Sequence, residues 1–513
     1  MACITNRTTA HGRAYPRIIM STDELILAID QGTTNTKAIL VDADGAVVAQ
    51  ASRPMAIEYP RPGWVQQDAN ELWWTVRECI DEVLAAAGAP TLGAIGISNQ
   101  RESAVAWDRA SGLPIGPVVS WQCRRSADLC DRLRGAGRAD EIAARSGLPL
   151  DPGFTAGKWH WLLDQAPDGI AKAAAGEIGL GTVDSWVLWN LSGGAAHETD
   201  ASNASRTQLM DLATVDWDPW LAEAFGVPLA ALPEIRPSST RFGTTVALGA
   251  LPAGVPIGSL VGDSHAALFG HAGFEPGSIK ATYGTGSSLM MPTPTRPTSD
   301  AGLAATVAWG LDRTVYALEG NINVTGAAVQ WLAEFLGLSG PAAVAELAAQ
   351  TPSSDGVYLV PAFVGLGAPH WDDQARGLIS GLTRGSSLAQ LARATVDSIA
   401  YQVRDVFDAM QTSSAGSLRV LLADGGVTRN EQLMQFQADI LGVPVQRNNT
   451  AELSAMGAAY LAGLATGVWD STADIAALPR SVDRFEPTMS TAQRDGLLDG
   501  WRAAVARTTL RPE

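Results

Sequence analysis

Charge is scarce in this 513-residue chain: 17% of residues are Asp, Glu, Lys or Arg, and 36 basic side chains face 53 acidic ones, a net charge of −17. That shortage of cations excludes a nucleic-acid surface, which needs clustered Lys and Arg against phosphates, and disfavours an anionic substrate bound in bulk. The four cysteines, Cys3, Cys79, Cys123 and Cys130, lack paired metal spacing such as C-x2-C. In a chain this long they read as reduced thiols of a cytoplasmic protein. No apolar run reaches the length of a membrane span. The start, "MACITNRTTAHGRAYPRIIM", lacks the apolar core of a signal peptide, and residues 1–22 are expected to be a disordered extension before the globular pattern. Also missing are the P-loop G-x4-G-K-[ST] and a Rossmann G-x-G-x-x-G after the first strand.

What is present is a well-mixed chain with 46% hydrophobic residues, the profile of a folded enzyme. Its length exceeds what one core serves, so two large domains with a cleft between them are expected. "LILAIDQGTTNTKAILVDADGAVVAQ" reads as strand Leu25–Asp30, a Gly/Thr turn, strand Thr36–Asp42 and a third strand. "DANELWWTVRECIDEVLAAAG" has helical spacing with Asp68 or Asn70 as cap, and "LGAIGISNQRESAVAWD" reads strand, polar loop, strand. The second half repeats the theme: "GSIKATYGTGSSLMMP" is again strand, Gly/Thr turn, strand, and "TVYALEGNINVTGAAVQWLAEFLG" is a strand leading into a long helix. The pattern is α/β with a duplicated domain, its boundary near Gly270–Pro276, giving segments 23–271 and 272–513.

Glycine-rich turns let backbone N–H groups converge on phosphate, and threonine hydroxyls add donors. "DQGTT" (Asp30–Thr34) and "YGTGSS" (Tyr283–Ser288) qualify, as does "LLADGGVTRNEQLMQ", an apolar strand ending in Asp424-Gly425-Gly426 before Asn430 opens a helix. Each alone is also an ordinary turn. "SLVGDSHAALFG" offers Asp263, Ser264 and His265 in a row, but three neighbours cannot form a nucleophilic triad, whose members converge from separate segments.

Together "DQGTTNTK", "GISNQRE", "WQCRR", "NASRT", "GD" before "AALFG", "YGTG", "FVGLGAPHWD", "RGLISGLTRG" and "DGGVTRN" resemble the FGGY carbohydrate kinases, and within them the glycerol kinases, over nearly the whole chain. The resemblance implies two actin-like (ribonuclease-H-like) domains, the N-terminal one binding polyol and the C-terminal one binding nucleotide, with ATP and Mg2+ as cofactors. A homo-oligomer, dimer or tetramer, goes with it. Asp263 matches the general base that takes the proton of the attacking hydroxyl, and Asp30, with Asp263, the carboxylates near the metal. Thr33, Thr34, Asn35 and Lys37 match the first phosphate turn, and Gly284 and Thr285 the second. Gly326, Gln330, Gly426 and Asn430 match the nucleoside pocket; Arg101 and Glu102 match residues that bind substrate hydroxyls, and Trp121 the indole that packs on its carbons.

The chain departs from that pattern at Lys37, where the relatives commonly have Arg, and at three pocket positions. Gly153 replaces Tyr, Ser264 replaces Gln and Ser288 replaces Phe. All three are smaller, so the expected acceptor is a polyol longer than glycerol, a tetritol or pentitol, with glycerol as the alternative. The stretch "GALPAGVP" has no cation where members inhibited by fructose 1,6-bisphosphate carry a Gly/Arg loop, so no such inhibition is expected. A reading from another class, an actin- or chaperone-like ATPase, leaves Arg101, Glu102, Trp121 and Asp263 without a reason.

Overall fold

The structure is a computed structural model that describes residues 24–275, 277–298, 302–413 and 417–510. The expected extension at residues 1–22 lies outside the described residues. Two main sheets dominate. The first contains β1 (Leu25–Gln31), β2 (Asn35–Val41), β3 (Val47–Pro54), β4 (Leu92–Asn99), β5 (Ser239–Thr244) and β6 (Pro256–Gly262), in the order β5-β6-β4-β1-β2-β3. The second contains β7 (Ser278–Tyr283), β8 (Ser287–Thr293), β9 (Ala304–Gly310), β10 (Thr314–Ile322), β11 (Val420–Asp424), β12 (Val445–Asn448) and β13 (Val482–Phe485), in the order β9-β10-β8-β7-β11-β12-β13.

Both sheets carry the same kernel. β1 pairs antiparallel with β2 and parallel with β4, just as β7 pairs antiparallel with β8 and parallel with β11. The duplication expected from the two turns is therefore a duplication of topology, the actin-like arrangement. β4 is buried at every position because both its faces are covered, which is why it reads as a continuous apolar run.

Local signals set several boundaries. Asp68 caps the helix Ala69–Ala86, its carboxylate accepting from the backbone N–H groups of Asn70 and Glu71. Asn430 caps Glu431–Leu441 through the N–H of Leu433. The helix after β10 is shorter than its apolar pattern promised: it spans Gly326–Phe335, and the chain turns at Gly337, whose φ is +66°.

One helix leaves its half of the chain. Leu453–Thr466 packs on the first sheet, where Ala455, Ala458, Ala459 and Ala462 share a buried cluster with Ile26, Ala28, Ile39, Ala94 and Val261. Its small residues permit close approach: a side chain on Gly457 would collide with the Ala266 carbonyl, and the Ala458 carbonyl accepts from Ser259 Oγ at 2.7 Å. The helix Asp263–Gly270 is thereby clamped in place.

Candidate active site

Asp263 follows the buried strand β6 and opens the helix Asp263–Gly270. It is not the cap of that helix; Gly262 occupies that position. Its Oδ1 accepts from the Ser264 N–H at 2.6 Å and from Arg101 Nε at 3.1 Å. The side chain is 39% exposed at the cleft. Burial of its inner part raises the carboxyl above the ordinary aspartate value, with Arg101 opposing and Glu102 reinforcing the rise. A carboxylate held by the backbone at one oxygen and open to the cleft is suited to accept a proton.

Asp30, near the end of β1, accepts from Ser98 Oγ at 2.8 Å. Burial pushes its carboxyl up to about 6; the Ser98 hydrogen bond opposes this and the charge of Asp263 adds to it. Both carboxylates are desolvated, and the charge of Asp263 raises Asp30 although Lys37 opposes it and Arg101 stands beside Asp263. They fit Mg2+, which keeps waters and takes one or two carboxylates plus substrate phosphates; among the described residues no cluster of three or more His, Cys, Asp or Glu forms a protein-only metal cage.

The first Gly/Thr turn is braced from behind by glutamine side chains. Gln67 Nε2 donates to the Thr33 carbonyl at 2.7 Å, and Gln31 and Gln100 donate to that of Gly32 at 2.9 and 3.3 Å. The Thr34 carbonyl takes the Met55 N–H and its hydroxyl takes Asn35 Nδ2. The second turn is stitched to the start of the Gly326 helix: Gly326 N donates to the Gly284 carbonyl at 3.0 Å and Thr325 N to that of Thr285 at 2.9 Å. A Cβ on Gly326 would stand 2.5 Å from the Gly284 oxygen, so glycine is required there. Beyond β11, Gly425 has a φ of +98°, and Gly426 has open space on its Cβ side. Gln330 is exposed and donates to Glu334 Oε1 at 2.7 Å.

Lys37 differs from its expected posture. Its ammonium lies 2.7 Å from Glu452 Oε2, so the cation expected at phosphate is shared with a carboxylate at the base of the Leu453 helix. Trp121, expected to cover the carbons of a substrate, donates from Nε1 to Thr33 Oγ1 at 2.9 Å, which ties its loop to the first Gly/Thr turn.

The three shortened pocket positions fall in two places. Ser264 and Ser288 meet, with Oγ atoms 3.1 Å apart. Lys280 Nζ donates to Ser264 Oγ at 2.7 Å, and Ser288 Oγ donates to Glu319 Oε1 at 3.1 Å. Gly153 lies elsewhere, beside Asp151 and the Trp121 carbonyl, with its own carbonyl receiving Lys158 Nζ, which also donates to the Glu102 carbonyl at 2.9 Å. His265 is fully buried and lies 3.4 Å from the Thr306 hydroxyl, a packed histidine and not a lining one.

Sequence reasoning missed Glu319, Lys280, Lys158 and Arg206. The signal was there for two of them: Glu319 in "TVYALEGNI" and Lys280 in "SIKATY" are lone charges inside apolar strands, which must find a partner when buried.

The N-terminal domain of the FGGY family of carbohydrate kinases matches residues 25–270, and its C-terminal domain matches residues 279–466. A glycerol kinase of Symbiobacterium thermophilum is 48% identical over 94% of this chain and 98% of its own length. An apulose kinase of Pectobacterium atrosepticum is 47% identical over 95% of this chain and 99% of its own. The crystal structure of a Plasmodium falciparum glycerol kinase with ADP superposes with a TM-score of 0.91 at 31% identity, covering 95% of this chain and 99% of that one. With both domains matched in order and relatives at this identity over nearly full length, the chain belongs to the FGGY family of carbohydrate kinases, ATP- and Mg2+-dependent phosphotransferases whose acceptor is an alcohol group.

Proposed function

We propose that the enzyme transfers the γ-phosphate of ATP to a primary hydroxyl of a polyol longer than glycerol, a tetritol or pentitol. The observation that carries this reading is the hydroxyl pair Ser264–Ser288, which bridges Lys280 and Glu319 beside Asp263. Two short hydroxyls at that floor offer hydrogen bonds where bulkier side chains would offer walls. An acceptor with one or two further hydroxylated carbons has groups to meet them, and a polar site discriminates by the partners an analogue leaves unpaired.

In this reading Asp263 takes the proton of the attacking hydroxyl, and Arg101 and Glu102 orient the acceptor. Trp121 covers its carbons. The turns at Thr33–Asn35 and Gly284–Thr285 hold the phosphates, with Gly326, Gln330, Gly426 and Asn430 around the nucleoside. Asp30 and Asp263 would hold Mg2+, which when bound neutralises charge on the phosphate oxygens.

Glycerol is the second reading, favoured by the glycerol kinases at 48% identity; an apulose kinase stands almost as near, so overall identity does not choose the acceptor. The test is kcat/KM with Mg-ATP for glycerol, erythritol, D- and L-threitol, ribitol and xylitol. The expected result is a four- or five-carbon polyol ahead of glycerol by at least tenfold, with the triple variant Gly153→Tyr/Ser264→Gln/Ser288→Phe moving preference back to glycerol. Glycerol ranking first in the unaltered enzyme would overturn the reading, and ATP turnover indifferent to every polyol would favour the ATPase class.

A further inference from the structure

Glu319 is not among the residues matched to phosphate or nucleoside, although it belongs to the second sheet, on β10, where it accepts from Ser288 Oγ at 3.1 Å. Its side chain is fully buried and faces two arginines. Oε1 lies 2.7 Å from Arg101 Nη1 and Oε2 lies 2.8 Å from Arg206 Nη2. Both arginines come from the first half of the chain. Each spends its remaining reach on the acceptor side of the cleft: Arg101 Nε donates to Asp263 Oδ1 at 3.1 Å, and Arg206 Nε donates to Glu102 Oε1 at 2.7 Å.

The chain of contacts is therefore Asp263–Arg101–Glu319–Arg206–Glu102, with one carboxylate of the second domain at its centre. Burial works to raise that carboxyl, yet the two guanidinium groups hold it well below the usual carboxylate range, so it stays charged. Such a buried anion is tolerated because its partners are two forks of fixed geometry. Remove the charge, and both arginines lose the counter-ion that lies between them while remaining buried themselves, with side chains 9% and 2% exposed.

We propose that Glu319 is a positioning residue for the hydroxyl acceptor: through Arg101 and Arg206 it sets the orientation of Asp263 and Glu102, so that a side chain of the nucleotide-binding half governs acceptor binding. This rests on the reading of Asp263 as base and Glu102 as a hydroxyl partner. A residue that merely holds the second domain together would disturb ATP and acceptor alike; a positioning residue of this kind affects the acceptor selectively.

The experiment is steady-state kinetics of Glu319→Gln, with the polyol of the above panel that gives the highest kcat/KM. The expected result is a rise of at least tenfold in the acceptor KM, a lower kcat, and an ATP KM within about twofold of the unaltered enzyme. Equal rises in both KM values, or no change in either, would overturn the proposal. Arg206→Lys serves as the second variant if Glu319→Gln does not fold: it keeps a cation but loses the fork that spans Glu319 and Glu102, and the same selective rise is expected. Asp263→Asn is measured in parallel. If it retains kcat, the base assignment fails, an outcome that the acceptor-against-ATP split of Glu319→Gln does not share.

Discussion

Replacing Lys158 by Met should change how stability depends on pH, by an amount the structure sets. The ammonium is fully buried, and its donors go to the carbonyls of Glu102 and Gly153. Burial pushes it down from 10.5 to about 7, with Glu102 opposing. Below pH 7 the folded and unfolded chains both hold the proton, and folding bears the full cost of desolvating the charge. As pH rises from 7 towards 10.5 the folded chain sheds that proton while the unfolded chain keeps it, so this group makes the fold more stable with rising pH across that window. At ~1.4 kcal/mol per pH unit, the gain between about pH 6 and pH 9 is ~3 kcal/mol. Every other titrating group is common to both proteins, so the difference between unaltered enzyme and Lys158→Met isolates this one. Urea unfolding followed by fluorescence of the sixteen tryptophans, at both pH values, measures it. The variant also leaves the Gly153 and Glu102 carbonyls short of a donor, a loss of about 1–3 kcal/mol each. Thr155 Oγ1 still reaches the Glu102 carbonyl at 3.2 Å, which softens the second. These losses offset the relief from burying a charge at pH 6 and stand uncompensated at pH 9. Identical pH dependence in the two proteins would refute the reasoning.

Asp263→Asn should lower kcat by about 10²–10⁴, the range for a lost general base, with the acceptor still bound. In the unaltered enzyme kcat/KM should fall on the acid side with an apparent pKa above that of an ordinary aspartate, because burial raises Asp263 and it acts deprotonated; a flat acid limb down to pH 4 would count against its role. Gly326→Ala should raise the ATP KM and leave the acceptor KM nearly unchanged, since the new Cβ would press on the Gly284 carbonyl at 2.5 Å and reopen the second turn. Fructose 1,6-bisphosphate should not inhibit: the loop Gly249–Pro256 presents no cation, and its Ala250 N–H already donates to Asp81 Oδ1 at 2.7 Å, which places a carboxylate where a phosphate would need a donor. A dose-dependent loss of activity would contradict this.

Much was legible in the sequence because it is written in short-range physics. A carboxylate before a helical pattern caps it, as Asp68 does, and Gly-Thr steps between apolar runs make the turns at Gly32 and Gly284. The family resemblance carried by nine short motifs implied one site for Asp263, Asp30, Arg101 and Trp121; in the structure Arg101 meets Asp263 at 3.1 Å and Trp121 meets Thr33 at 2.9 Å. The same local physics led to the expectation of a long helix after Gly326, and that helix has ten residues.

Tertiary structure alone decided which charges meet. Lys37 finds Glu452 across 415 residues, Arg101 finds Asp263 across 162, and Glu319 joins two arginines supplied by the other half of the chain. It also decided that Leu453–Thr466 would cross to the first sheet and brace the helix of Asp263. No window of sequence contains these pairings, because a buried charge specifies only that it needs a partner. The path of the chain between the two sheets determines which one it gets.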